Sequence, residues 1–134
     1  MATRPPTRKQ LKQAESERFF THVKATLDEA HRAAAKAAEE FMRTSKRTPD
    51  GHIADYCGGA WVVVYKPSYR LRTTLKSLGE IERGHQGAWE VSRFFKHANT
   101  QSVTAHEEAC RAACGVLRER LSGEGEFFAK SYLT

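Results

Sequence analysis

The run Asp55-Tyr56-Cys57-Gly58-Gly59-Ala60-Trp61-Val62-Val63-Val64-Tyr65-Lys66 decides how the rest of the chain is read. It is the one stretch dense in β-branched and aromatic residues, which suit a pleated, half-buried surface. Ala60–Lys66 therefore reads as the central strand of a sheet. A cysteine followed by two glycines stands at its front edge, and Pro67-Ser68 closes it.

Downstream, Tyr69–Leu78 carries two readings. Leu71, Leu75 and Leu78 fit a helix, whereas Tyr69, Leu71, Thr73 and Leu75 alternate as a strand does. Ser68 as N-cap and Gly79 past the end favour a short helix. Gly84-His85-Gln86-Gly87 turns the chain into a second strand, Ala88–Phe95. A polar loop follows over 96–103, and Thr104-Ala105-His106-Glu107 has capping-box spacing for a helix running to about Leu121. Gly123 and Gly125 break that helix, and Phe127–Leu133 is short enough for a final edge strand.

Upstream, Pro49-Asp50-Gly51 marks a turn, since proline presets φ and glycine accepts positive φ. From Ala14 to about Arg43 the chain has no glycine or proline and abundant alanine, which predicts a long helix. Phe20, Val23, Leu27, Ala30, Ala34, Ala37 and Phe41 form a heptad-like stripe along it. Packing on its own domain is the favoured role for this helix, and pairing with a copy of itself is the other. Thr7-Arg8-Lys9-Gln10 also has capping-box spacing, so a helix start at that point is consistent too. The organisation predicted is a basic flexible tail (1–13), a long N-terminal helix (14–47) and a small α/β domain (53–134). The fold class is α/β, or α+β: a long helix followed by a β-α-β-α-β unit, with α-β-β-β-α as the alternative.

Composition narrows the function classes. The chain has 134 residues, 40% hydrophobic, which suits one compact domain or a domain with an extension. No window approaches eighteen consecutive apolar residues, so a membrane span is not expected, and no apolar segment follows the basic N-terminus as a secretory signal requires. Three cysteines without an export signal suggest reduced thiols and a cytoplasmic setting. The net charge of +6 is concentrated toward the N-terminus. Arg4, Arg8, Lys9 and Lys12 precede the first acid, and Lys66, Arg70, Arg72 and Lys76 share a second basic segment with Arg83 and Arg93 nearby. Cations interleaved with Trp61, Tyr65, Tyr69 and Trp89 suit phosphates and unstacked bases, although Trp61 and Tyr65, alternating with valines, are better placed as core.

Two other constellations carry chemistry. His106, Cys110 and Cys114 share one helical face, yet two turns separate the outer pair by about 12 Å, too far for one ion to bind all three. Completing a zinc shell would take Cys57 or His52. Ala113, Leu117 and Leu121 continue the same stripe, so the cysteines read as small core residues, with no metal or cofactor. Cys57 before Gly58-Gly59 has the form of a nucleophile beside free backbone N–H groups. His52, His85, His97 and His106 are candidate bases, with Asp50 or Asp55 as orienter. Spacing selects none of them, and a bend admitting the chain to its central strand explains the glycines equally well.

The Cys57-Gly58-Gly59-Ala60-Trp61-Val62 segment resembles a C-G-x-A-W-V segment in small uncharacterised proteins of bacteriophages and phage-like elements. Leu75-Lys76 through Gly79, the Gly84–Trp89 turn, Gln101-Ser102 and the terminal aromatic strand extend the similarity over about residues 53–134. Gly59 stands where those proteins more usually carry an aromatic residue. The resemblance implies a phage or mobile-element setting and no particular chemistry. The expected function is thus a non-enzymatic accessory protein binding nucleic acid or a nucleoprotein complex through Arg4, Arg8, Lys9, Lys12, Lys66, Arg70, Arg72 and Lys76. The alternatives are a protein–protein module, an inhibitor or adaptor, that docks or homodimerises through the long helix, and a cysteine-dependent enzyme centred on Cys57.

Overall fold

A computed structural model describes residues 4–95 and 102–134. Among these the chain forms α1 (Arg8–Thr44), β1 (Gly58–Tyr65), α2 (Tyr69–Ser77), β2 (Ile81–Arg83), β3 (Ala88–Val91), α3 (Val103–Arg120) and β4 (Glu126–Leu133). The fold is mixed α+β, as expected, and residues 69–77 are helix.

The sheet is antiparallel throughout, in the order β2-β3-β1-β4. After α1, the β-α-β-β-α-β connectivity is that of the split βαβ arrangement. The predicted central strand is indeed interior. Alternation along it divides the sheet into two faces. Val62 and Val64 point into the core with Leu71 and Leu75 of α2, Val91 of β3 and Phe127 of β4. Trp61 and Tyr65 point the other way, onto a face that no helix among the described residues covers, and are only partly buried. Assigning them to the core was wrong: the valines beside them occupy the helix-facing positions.

Gly58 and Gly59 admit β4 to β1. A Cβ on Gly58 would stand 2.1 Å from the Tyr132 carbonyl oxygen, and one on Gly59 2.8 Å from the Tyr132 hydroxyl. Gly58 is therefore a close-approach position between strands, whereas Gly59 makes room for the Tyr132 ring.

The long helix begins at Arg8. Thr7 accepts from the Gln10 backbone N–H (3.1 Å), and the Gln10 side chain accepts from the Thr7 N–H (2.8 Å), a complete capping box. Residues 8–13 are thus helical, which shortens the basic tail predicted over 1–13. At 37 residues α1 is about 55 Å long. Its buried stripe is Val23, Thr26, Leu27, Ala30, Ala34 and Ala38, flanked by Phe19 and Met42. The expected stripe fails at its two ends, where Phe20 (39% exposed) and Ala37 give way to Phe19 and Ala38. A straight helix repeats every 3.6 residues, so a strict heptad stripe drifts off the contact face.

His22 and Glu29 meet Arg120 in the last turn of α3, through its carbonyl (2.7 Å) and guanidinium (3.2 Å) respectively. The buried part of α1 that follows runs back along α3, its alanines sharing one core with Ala109, Cys110, Ala113 and Cys114. Small residues on both helices let the backbones approach closely. The Pro49-Asp50-Gly51 turn forms as predicted, with Gly51 at φ 88 and the Thr48 N–H donating to the His52 carbonyl (2.7 Å).

Three boundaries differ from expectation. The strand predicted over 88–95 ends at Val91, because Ser92 is left-handed (φ 52), its N–H donating to the Glu80 carbonyl and its hydroxyl paired with His31 (2.9 Å each). Strand β2 was not foreseen, since three residues are too few to show alternation. The N-cap of α3 is Ser102, two residues before Thr104, accepting from the Ala105 N–H (3.2 Å). Most of the predicted 96–103 loop, with His97 and Gln101, lies outside the described residues.

Candidate nucleic-acid interface

Helix α2 positions the basic segment. Ser68 caps it, accepting from the Leu71 N–H (3.2 Å), and Leu71 and Leu75 anchor it in the core. Arg70 and Arg72, two residues apart, then leave α2 on opposite flanks, Arg70 toward Phe19 of α1 and Arg72, with Lys76, toward Trp89 of β3. Trp89, which pairs with Arg83 on β2 and Val64 on β1, lies on the helix side of the sheet beneath α2. The Arg72 guanidinium is 5.9 Å from the centre of its indole, the Lys76 ammonium 5.2 Å and the Arg83 guanidinium 5.6 Å. Among the described residues none of these three cations pairs with a carboxylate. Arg72 and Lys76 are i,i+4 neighbours of like charge, an unfavourable spacing that the negative face of the indole offsets in part.

Arg70 differs. Its Nε and Nη2 donate to Glu124 at 2.6 and 2.9 Å, while the guanidinium stacks 4.1 Å over Phe19. Glu124 also accepts from the Ser68 hydroxyl (3.0 Å). The hydrogen bond from Arg70 holds the Glu124 carboxyl below its ordinary value, and the reciprocal bond raises Arg70. Arg70 is therefore neutralised within the fold, and its free charge is smaller than the sequence suggested.

Lys12 and Arg70 line one groove between α1 and α2, with Phe19, Tyr69 and Thr73. Tyr69 is 76% exposed and lies 5.9 Å beneath Arg72. Glu15 lines the same groove, so the cations form two groups on either side of α2: Lys12 with the neutralised Arg70 toward α1, and Arg72, Lys76 and Arg83 around Trp89. Arg4, Arg8 and Lys9 are exposed at and before the start of α1. Lys66 is exposed at the exit of β1 with left-handed backbone (φ 50). Arg83 is the member that sequence reasoning left at the margin, and its strand pairing with Trp89 is what brings it in.

The open face of the sheet holds a second aromatic group. Trp61 meets Tyr132, and Tyr65 meets Phe128, both with ring centres 5.7 Å apart. Lys130 donates to the Tyr65 hydroxyl (2.6 Å). Glu82 and Glu90 pair on the β2–β3 half of that face, making it poorer in positive charge than the α2 side.

The remaining candidates separate. Cys110 and Cys114 are buried in the core, where burial, and then the neighbouring thiol, pushes Cys110 up to about 12. His106 stacks on Phe95 (4.4 Å), and no group of three or more metal-ligating side chains occurs among the described residues. Cys57 is exposed, and no described hydrogen bond joins it to a histidine. Asp55 is engaged at the start of α3, accepting from the Ser102 hydroxyl (2.5 Å) and the Thr104 N–H (2.9 Å). His52 stands 3.6 Å from Asp50 in the turn. Among the described residues no helix is long and apolar enough to cross a membrane.

Comparison with protein-family models, with curated proteins and with solved structures gave no match.

Proposed function

We propose that the protein is a non-enzymatic accessory protein, of the kind found in phages and mobile elements, that binds nucleic acid or a nucleoprotein complex through its α2 side. The observation that carries this reading is the convergence of Arg72, Lys76 and Arg83 on Trp89 without a carboxylate partner among the described residues. Like charges held together retain a positive potential that a phosphate backbone satisfies, releasing counterions as it binds. Lys12 and the first turn of α1 extend the same sign of charge, and exposed Tyr69 offers a ring for an unstacked base. Arg70 acts in positioning α2 rather than in contact.

Gel-shift titrations over a series of salt concentrations test this. The Arg72→Ala/Lys76→Ala/Arg83→Ala variant should bind more weakly, and its log–log salt slope on duplex DNA should be shallower by about 2.7, at ~0.9 per phosphate contact. No shift by the native chain at low salt overturns the reading. A protein–protein module is the second reading, favoured by Leu11 (52% exposed) and Phe20 (39% exposed) on the N-terminal part of α1. That outcome leaves it standing.

A further inference from the structure

The two edges of the sheet are unequal. Strand β2 is three residues long, whereas β4 is an eight-residue edge exposed at every position but Phe127. A long, exposed edge is a template for another strand. The hydrogen-bonding phase of β4 follows from one contact: the Thr134 N–H donates to the Cys57 carbonyl (3.0 Å), opposite which it lies. Bonded pairs alternate along an antiparallel ladder. Tyr132, Lys130, Phe128 and Glu126 therefore bond to β1, and Phe127, Ala129, Ser131 and Leu133 turn their backbone groups to the free edge. The Phe127 carbonyl is already taken, by Arg118 Nε at 2.8 Å. Among the described residues, the backbone groups left free belong to Ala129, Ser131 and Leu133.

We propose that β4 pairs antiparallel with β4 of a second copy of this chain, about a two-fold axis at Ser131. A two-fold axis normal to the sheet keeps the helix-covered faces on one side, which restricts the register to a few choices. Centring on Ala129 requires the Phe127 carbonyl that Arg118 holds. Centring on Lys130 sets two ammonium groups directly opposite each other, which is destabilising. Centring on Tyr132 leaves Ala129 unpaired. Centring on Ser131 opposes Ser131 to its equivalent and Ala129 to the second copy's Leu133, satisfying all three free residues. It also sets Lys130 opposite the second Tyr132, a cation beside an aromatic, and lays Leu133, 66% exposed, against Ala129. The product is one continuous eight-stranded sheet with β4 at its centre.

Sedimentation equilibrium of the full chain should report twice the monomer mass, and Ser131→Lys, which places like charges at the axis, should halve it. Because Ser131 bonds outward, that variant should keep the native circular dichroism. Register is tested by oxidation in a Cys57→Ser background. Bonded antiparallel partners lie about 5.5 Å apart at Cα, within disulfide reach. Ser131→Cys should cross-link to a dimer, and Lys130→Cys and Ala129→Cys should not. A native chain that stays monomeric, a dimer that survives Ser131→Lys, or cross-linking that prefers position 129 or 130 overturns the proposal.

Discussion

Asp55 shows how single residues join distant parts of this chain. It lies in the connector before β1, yet it serves the N-terminus of α3, accepting from Ser102 and Thr104. Partial burial pushes its carboxyl up, but the bonds from Ser102 and Thr104 outweigh burial and hold it below its ordinary value of 3.8. A carboxyl lowered on folding contributes stability above its unfolded value and loses it as pH falls through the folded one. Asp55→Ala should therefore cost about 0.5–2 kcal/mol at neutral pH, the range for losing a side-chain acceptor at a helix N-terminus. The gap from native should narrow below about pH 4, as urea unfolding at each pH will measure. In the sequence Asp55 was one of two candidate orienters for a histidine base, with nothing in the spacing to select it, because its true partners lie 47 and 49 residues away. Arg70's partner was hidden for the same reason: the acid that it pairs with is 54 residues on. Local charge was legible, and its cancellation by a remote carboxylate was not.

At the scale of elements, patterns longer than two turns were legible and shorter ones were not. The valines of β1 and the alanine stripe of α1 led to the right elements because each repeats enough to show a period, whereas the leucines of α2 fitted helix and strand alike and its caps, Ser68 and Gly79, decided it. β2 and the end of β3 escaped because backbone pairing decides them. Among side chains, Trp61 and Tyr65 had the correct alternation, but alternation alone cannot say which face a helix covers. The α1–α3 contact gives a direct check. Ala34 is fully buried and Ala35, one residue on, is exposed. Ala34→Leu should overpack the interface and destabilise by about 1–3 kcal/mol, whereas Ala35→Leu should stay within ~0.5 kcal/mol of native. Chemical denaturation of the pair will show whether close helix approach depends on the small side chain.

Across the whole molecule, two aromatic surfaces lie on opposite sides of one sheet, and charge distinguishes them. Trp89 lies among Arg72, Lys76 and Arg83 on the helix side, and Trp61 lies beside Tyr132 on the open side, where Glu82 and Glu90 also stand. A polyanion should choose the first. The two tryptophans make that choice directly observable, since either can be left as the sole indole. In Trp61→Phe, titration with a DNA oligonucleotide at low salt should change the fluorescence of Trp89, and added salt should reverse it. In Trp89→Phe, the emission of Trp61 should stay constant through the same titration. A silent Trp89 would contradict the assignment of the α2 side, and a response from Trp61 alone would move the interface to the open face.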